Sequence, residues 1–243
     1  MKNPYRYGRF LAWTGIVMLL GTIVFWGVLG QNIPPYSPAL NADEFAAQIR
    51  QHQGEIRIGM IVQLAISVMW YTWGVAIWMV MRAIENENGD NDVLSTLQIW
   101  GAGFTTIVFI VPCSAWLAVA YRPDVMEPQT LQMVYDFGWM MFDCAYALTT
   151  MQILAWGVCV LQDKRETPLY PGWVVWFSMF VVVSFILETF MPLVYDGPFS
   201  RSGVVNYFFE FGIFFLMWVF IGIYTLKAIG RLQQEHLAAH ASN

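Results

Sequence analysis

Long apolar runs alternate with short polar stretches along the whole chain. Six such runs lie near 10–29, 58–81, 97–120, 134–161, 173–195 and 204–229. Each approaches or exceeds the ~20 residues that a helix needs to cross a hydrocarbon layer. The pattern predicts an all-α fold: a six-transmembrane-helix bundle forming one integral membrane domain over residues 1–243. The first run follows Lys2, Arg6 and Arg9, as the core of a secretory leader would. It is too long for such a core and lacks a small-x-small cleavage site, so it reads as a retained span.

The connections carry their own signals. In the longest one, 30–57, the segment Ile33-Pro-Pro-Tyr-Ser-Pro38 reads as stiff and extended, because each proline restricts itself and its predecessor. Asn41 followed three residues on by Glu44 predicts a capping box at the start of a short helix. Phe45 and Ile49 form an apolar stripe on that helix, suited to resting on the bilayer or covering the bundle. The segment serves either as a simple connector or as a lid. Glu85-Asn-Glu-Asn-Gly-Asp-Asn-Asp92 reads as a solvated linker. No internal repeat supports an inverted-repeat transporter.

Composition agrees with the pattern. The chain is 58% hydrophobic and 12% charged, against about 25% charge in soluble domains. A formal net charge of -5 argues against nucleic acid as a partner, which would need a basic face. Cys113, Cys144 and Cys159 lie in apolar runs without CxxC spacing, so neither a disulfide framework nor a thiolate zinc site is expected. Cys144 and Cys159 read as small packing residues. Counting basic residues in the connections puts Lys2, Arg6, Arg9, Arg82, Lys164, Arg165, Lys227 and Arg231 on one side. Arg50, Arg57, Arg122 and Arg201 fall on the other. The positive-inside rule then makes both termini cytoplasmic.

Threading the runs this way brings polar groups to a common level in the outer half. Gln63 comes from the second run, Ser114 from the third, Asp136 and Asp143 from the fourth, Glu188 from the fifth, and Asn206 and Glu210 from the sixth. Asp136 and Asp143 are seven residues apart and share a helix face, with Asp143 about 10 Å deeper; Thr150 continues that face. Ser184 and Glu188, Asn206 and Glu210, and Gln63 and Ser67 are each four apart. An unpaired polar group facing lipid costs several kcal/mol, so these groups should point inward. Asp136, near the rim, reads as structural, a candidate cap for the fourth span. Asp143, Glu188 and Glu210 are the candidate catalytic acids. No Lys or Arg shares their depth, leaving protons, shared protons or a bound cation to neutralise them, with Arg57, Arg122 and Arg201 nearest at the rim. The alternative is interhelical packing glue.

No cofactor and no metal site are expected. His52, His236 and His240 all lie outside the runs, which argues against intramembrane haem, copper, zinc or iron. His236 and His240 read as a solvated helix face. Aromatic residues crowd the polar level: Trp70, Tyr71, Trp73 and Trp78 in the second run, Tyr135, Trp139, Phe142 and Tyr146 in the fourth, and Tyr207, Phe208, Phe209 and Phe211 opening the sixth. Trp173 and Tyr195 fit an interfacial belt. Aromatic faces stabilise cations, so acids beside an aromatic wall suit proton transfer at a carbon–carbon double bond. Gln63, Trp70, Ser114, Trp139, Tyr146 and Asn206 are the candidate ligand-binding residues. Gln63 and Asn206 would orient the acids.

Several short motifs, Ile33-Pro-Pro-Tyr-Ser-Pro38, Ile56-Arg-Ile-Gly-Met60, Arg122-Pro-Asp124, Asp136-Phe-Gly-Trp139, Gly197-Pro-Phe199 and Lys227-Ala-Ile229, resemble an uncharacterised group of six-span bacterial integral membrane proteins. The resemblance implies a multi-pass protein of the bacterial inner membrane and brings no functional residue with it. The chain departs from emopamil-binding-type sterol isomerases, which bring an intramembrane histidine. The expected function is binding of a lipophilic small molecule (isoprenoid, sterol-like or hydrocarbon) taken from membrane lipid, with proton-transfer isomerisation or hydration as the reaction. The alternatives are a proton-coupled transporter and a non-catalytic homo-oligomer or complex subunit. Thr150, Gln152 and Tyr224 give the inner half too little polarity for transport. Gly101 and Gly103 offer close helix contacts to a subunit.

Overall fold

The computed structural model describes residues 3–241, so Lys2 lies outside the described residues. Helices dominate, and no strand occurs among the described residues. Six are long and apolar enough to cross a membrane: Gly8–Leu29, Ala42–Asn88, Val93–Tyr121, Pro128–Leu161, Gly172–Leu193 and Val204–His240. We call these the first to sixth spans; they make the chain a multi-pass membrane protein. Its surface suits lipid: Phe10, Trp100, Phe180 and Leu216 are exposed, while Gln63, Gln98, Gln152, Asn206 and Glu210 are wholly buried. Backbone polarity is satisfied within the helices, and side-chain polarity is turned inward, as a hydrocarbon surround requires.

Both termini meet at one end of the bundle. The Tyr5 ring packs edge-on against His236, and the Gln233 amide donates to the Tyr5 carbonyl at 2.7 Å. We call this the terminal end, and the other the distal end.

The second span departs from expectation in length. The capping box forms as the sequence predicts: the Asn41 side chain accepts from the Glu44 N–H at 2.9 Å, and the Glu44 carboxylate accepts from the Asn41 N–H at 3.3 Å. The helix it starts does not stop before the span. It runs unbroken from Ala42 to Asn88, 47 residues, or about 70 Å. No proline interrupts residues 42–88, and a Cβ at Gly54 would meet nothing. Phe45 and Ile49 are buried, and Phe45 packs on Tyr36 and Tyr135. The stripe therefore covers the bundle rather than lying on lipid.

Residues 30–40 are tied down across the distal end. Asn32 is buried; its amide donates to the Trp26 carbonyl, Tyr135 donates to its side chain, and Tyr207 donates to its carbonyl. Arg201 donates to the Tyr36 carbonyl at 3.0 Å and to Asp136 at 2.5 Å, with its guanidinium over the Tyr135 ring. Gln132 donates to the Leu40 carbonyl. Asp136 thus pairs across to the last loop. It is not a cap, because it sits well inside the helix that begins at Pro128.

Two further expectations change. Glu85 is not a solvated linker residue. It is buried within the second span, pairs with Arg82 at 3.0 Å and accepts the Ser95 N–H at 3.0 Å, capping the third span at the terminal end. Cys144 does not pack inside: it is exposed, while Cys113 and Cys159 are buried. Gly101 lets the third and fourth spans touch, since a Cβ there would lie 2.7 Å from the Gln152 Cβ. Gly103 faces a looser contact, 3.7 Å from the Tyr71 ring.

Candidate functional site

Of the four spans that surround one small cavity, three lose regular α-helix there and the other carries a proline within its helix. In the third span Pro112 is buried within the helix. It has no N–H to give, so the Val108 carbonyl lacks its helical donor. The fourth span breaks after Asp143, and helix resumes at Ala147. The fifth tightens to a 3-10 helix over Phe185–Leu193, far longer than the usual three or four residues. The sixth opens with a widened π-helical segment, Val204–Phe209, before α-helix begins at Glu210. Irregular backbone at membrane depth persists only where protein covers it or where it lines a polar cavity.

The acids sit at these irregularities. Asp143 ends its helical segment, Glu188 lies in the 3-10 segment, and Glu210 follows the π segment. A helix end is the negative pole of its dipole, which does nothing to hold a carboxylate charge at Asp143. All three acids line the same cavity of about 40 Å³, with Thr105, Val108, Phe109, Phe142, Tyr146, Thr149, Phe185, Phe211 and Phe214. That volume holds about three water molecules or the tip of an apolar group.

Hydrogen bonding around the acids is sparse. The Asn206 amide donates to Asp143 Oδ2 at 3.0 Å. Asp143 Oδ1 and both carboxylate oxygens of Glu210 are buried without a partner. No cation lines the cavity, because Arg201 is engaged by Asp136 and Tyr36 instead. Among the described residues no cluster of three His, Cys, Asp or Glu is arranged to hold a metal ion.

The cavity is closed toward the distal end and thinly walled at its side. Trp26, Trp116, Trp139, Phe142 and Phe211 interlock above it, with the Trp26 and Phe211 rings stacked 5.7 Å apart. The tied loop lies over this layer. At the side, half-buried Tyr146 lines the cavity and hydrogen-bonds exposed Thr189 at 3.0 Å. This pair bridges the break in the fourth span and the 3-10 segment of the fifth at the lipid-facing surface.

The other sequence-selected residues fall into three places. Tyr146 lines the cavity, and Asn206 orients Asp143. Trp139 and Trp70 stand in the aromatic layers around it: Trp139 against Trp26 and Trp116, and Trp70 against Phe109 and Trp218, donating to Gln152 at 3.0 Å. Gln63 and Ser114 lie apart. Gln63 donates to Thr22 of the first span at 3.2 Å and so does not orient the acids. Ser114 is exposed and bonds the Ile110 carbonyl of its own helix, because that face of the third span meets lipid while Cys113 turns inward.

Thr105 and Thr149, which form the cavity's floor and share a 3.2 Å hydrogen bond, were not evident from the sequence. Thr150 falls on the face of Asp136 and Asp143 only if the fourth span is one regular helix. The break turns Thr149 inward and leaves Thr150 bonded to the Val182 carbonyl. No protein-family model, no curated protein and no solved structure matches this chain.

Proposed function

We propose that this protein is a membrane-embedded acid–base site that takes one end of a lipophilic molecule from the bilayer and moves protons on it. The supporting observation is the convergence of Asp143, Glu188 and Glu210 on one apolar-walled cavity with no cation among its lining residues. Packing glue would leave acids hydrogen-bonded. Here one amide, from Asn206, serves the cluster, and three buried oxygens have no partner.

The chemistry that fits is isomerisation of a carbon–carbon double bond. A protonated carboxyl adds its proton to one alkene carbon. A second, ionised carboxylate removes a proton from the allylic carbon attached to the other alkene carbon. The double bond shifts, and the two acids exchange roles with no oxidant or reductant required. Phe109, Phe142, Phe211 and Phe214 surround the path of the developing positive charge, which aromatic faces stabilise. The cavity admits only the end of an isoprenoid, sterol-like or hydrocarbon chain. Entry is lateral, past the Tyr146–Thr189 pair, because the aromatic layer and tied loop cover the distal end. Arg6, Arg9, Arg82, Lys164, Arg165, Lys227 and Arg231 gather at the terminal end, which supports a cytoplasmic position for that end in a bacterial inner membrane.

Mass spectrometry of lipophiles extracted from the purified protein tests this reading. Wild type should carry a compound enriched over the bulk membrane lipid. Val108→Phe, which fills the cavity, should lose it. Bulk lipid alone on both proteins would reject the reading.

A further inference from the structure

The acids need a way to exchange protons with water, and the distal end offers none. The terminal half does. Ser95, Gln98 and Thr105 are spaced three and seven residues apart on the third span, so they share one face. All three are buried. From Gln98 to Thr105 the rise is about 10 Å, two helical turns. Thr105 bonds Thr149 on the cavity floor, and Gln152 lies one turn further from the cavity on the fourth span. At the far end the Ser95 N–H donates to Glu85, whose pairing with the half-exposed Arg82 reaches the terminal surface.

The middle of this file is unfinished. Gln98 is wholly buried, and neither its amide nitrogen nor its amide oxygen has a partner. Gln152 is also wholly buried; Trp70 takes its oxygen at 3.0 Å, and its nitrogen has no partner. The two glutamines are neighbours through the second span. A Cβ at Gly74 would lie 3.6 Å from Gln98 Nε2, and Trp70 is one turn away on the same helix. A Cβ at Gly101, one turn from Gln98, would meet Gln152 itself. Buried amide groups of this kind are almost always satisfied, by protein or by ordered water. An internal water needs room and two or more polar partners, and these amides supply the partners.

We infer that Gln98 and Gln152 hold internal water, and that this water joins Glu85 and Ser95 to the Thr105–Thr149 floor as a proton path from the terminal surface to the carboxylate cavity. The inference rests on the acid–base reading of that cavity and adds its supply route. Both amides can accept and donate at once, so a proton can pass along bonded waters between them. The path ends at the acids, and the aromatic layer beyond them closes the way to the distal side. It is therefore a supply to the site, not a transmembrane pore.

Infrared spectroscopy of the full protein in lipid nanodiscs, transferred from H₂O to D₂O, tests the path. The neutral-carboxyl band should shrink in Asp143→Asn, Glu188→Gln or Glu210→Gln, which assigns it to the cavity. Its deuteration should be about tenfold slower in Gln98→Met and Gln152→Met than in wild type, a barrier change of about 1.4 kcal/mol. An assigned band that deuterates equally fast in all three proteins overturns the path and leaves the acid site standing. Absence of any band from the three acids overturns the acid–base reading and the path with it. Should the methionine variants fail to fold, density maps of the wild-type protein decide. Ordered water within hydrogen-bond distance of both glutamines supports the path. The two amides bonded to each other, with no water between, overturns it.

Discussion

Arg201→Met is expected to lower the thermal midpoint in detergent by about 6–12 °C, the effect of roughly 3 kcal/mol on a chain of this length. Arg201 is 3% exposed, and its guanidinium makes three contacts on two elements: Asp136 and the Tyr135 ring on the fourth span, and the Tyr36 carbonyl in the tied loop. Methionine keeps the apolar stem and removes every one of these contacts. The penalty comes mainly from what is left behind, a partly buried Asp136 carboxylate and an unanswered Tyr36 carbonyl. Asp136 retains 32% side-chain exposure, so water recovers part of the loss, and the estimate sits at the low end for a broken buried pair. Arg201→Met together with Asp136→Leu should recover much of the midpoint, because no charge is then stranded. If the single variant melts with wild type, the loop is not held by this residue.

The tied loop also shows how much of the architecture could be read in advance. Six spans, the Asn41–Glu44 capping box and the inward turn of Asp143, Glu188 and Glu210 follow from hydropathy and helical spacing, which are local properties. Helical irregularity is not local in this way. Pro192 announces a disturbance in Phe185–Leu193 but not that it takes the form of a 3-10 segment, and nothing near Cys144 announces a break. Both arise from how four spans fit around the cavity. Regular-helix spacing consequently chose Thr150 where Thr149 lines the site, and it gave Ser114 an inward face that Cys113 takes. Gln98 was legible in principle, since Ser95, Gln98 and Thr105 share a face. It lies in the terminal half, away from the carboxylates that mark the site. Glu85 was hidden by its neighbours, because a run of Asn, Asp and Glu reads as solvated until a helix start is found that needs its carboxylate.

If the protein converts a lipophile as proposed, Glu188→Gln is expected to abolish that conversion while leaving the compound bound. Glutamine matches the shape of glutamate and still accepts a hydrogen bond, but it does not cycle a proton on the timescale of turnover. Loss of one acid–base partner removes about 10²–10⁴-fold in rate, enough to end detectable conversion in a slow enzyme. The cavity volume is nearly unchanged, so retention of the ligand should match wild type, in contrast to Val108→Phe. Turnover by Glu188→Gln at the wild-type rate would remove Glu188 from the chemistry.

On the proposed reading, Asp143, Glu188 and Glu210 from separate spans form one under-satisfied cluster kept for chemistry rather than for stability. Thermal midpoints of Asp143→Asn, Glu188→Gln and Glu210→Gln, singly and in pairs in nanodiscs, test it most directly. Each isostere removes an acid whose ionised form the apolar cavity cannot solvate, so every single variant should melt at or above wild type. Pairs should depart from additivity by at least about 0.5 kcal/mol, as groups sharing a site do. Three variants that each melt well below wild type, with losses that simply add, would make these acids independent structural ties and contradict the account.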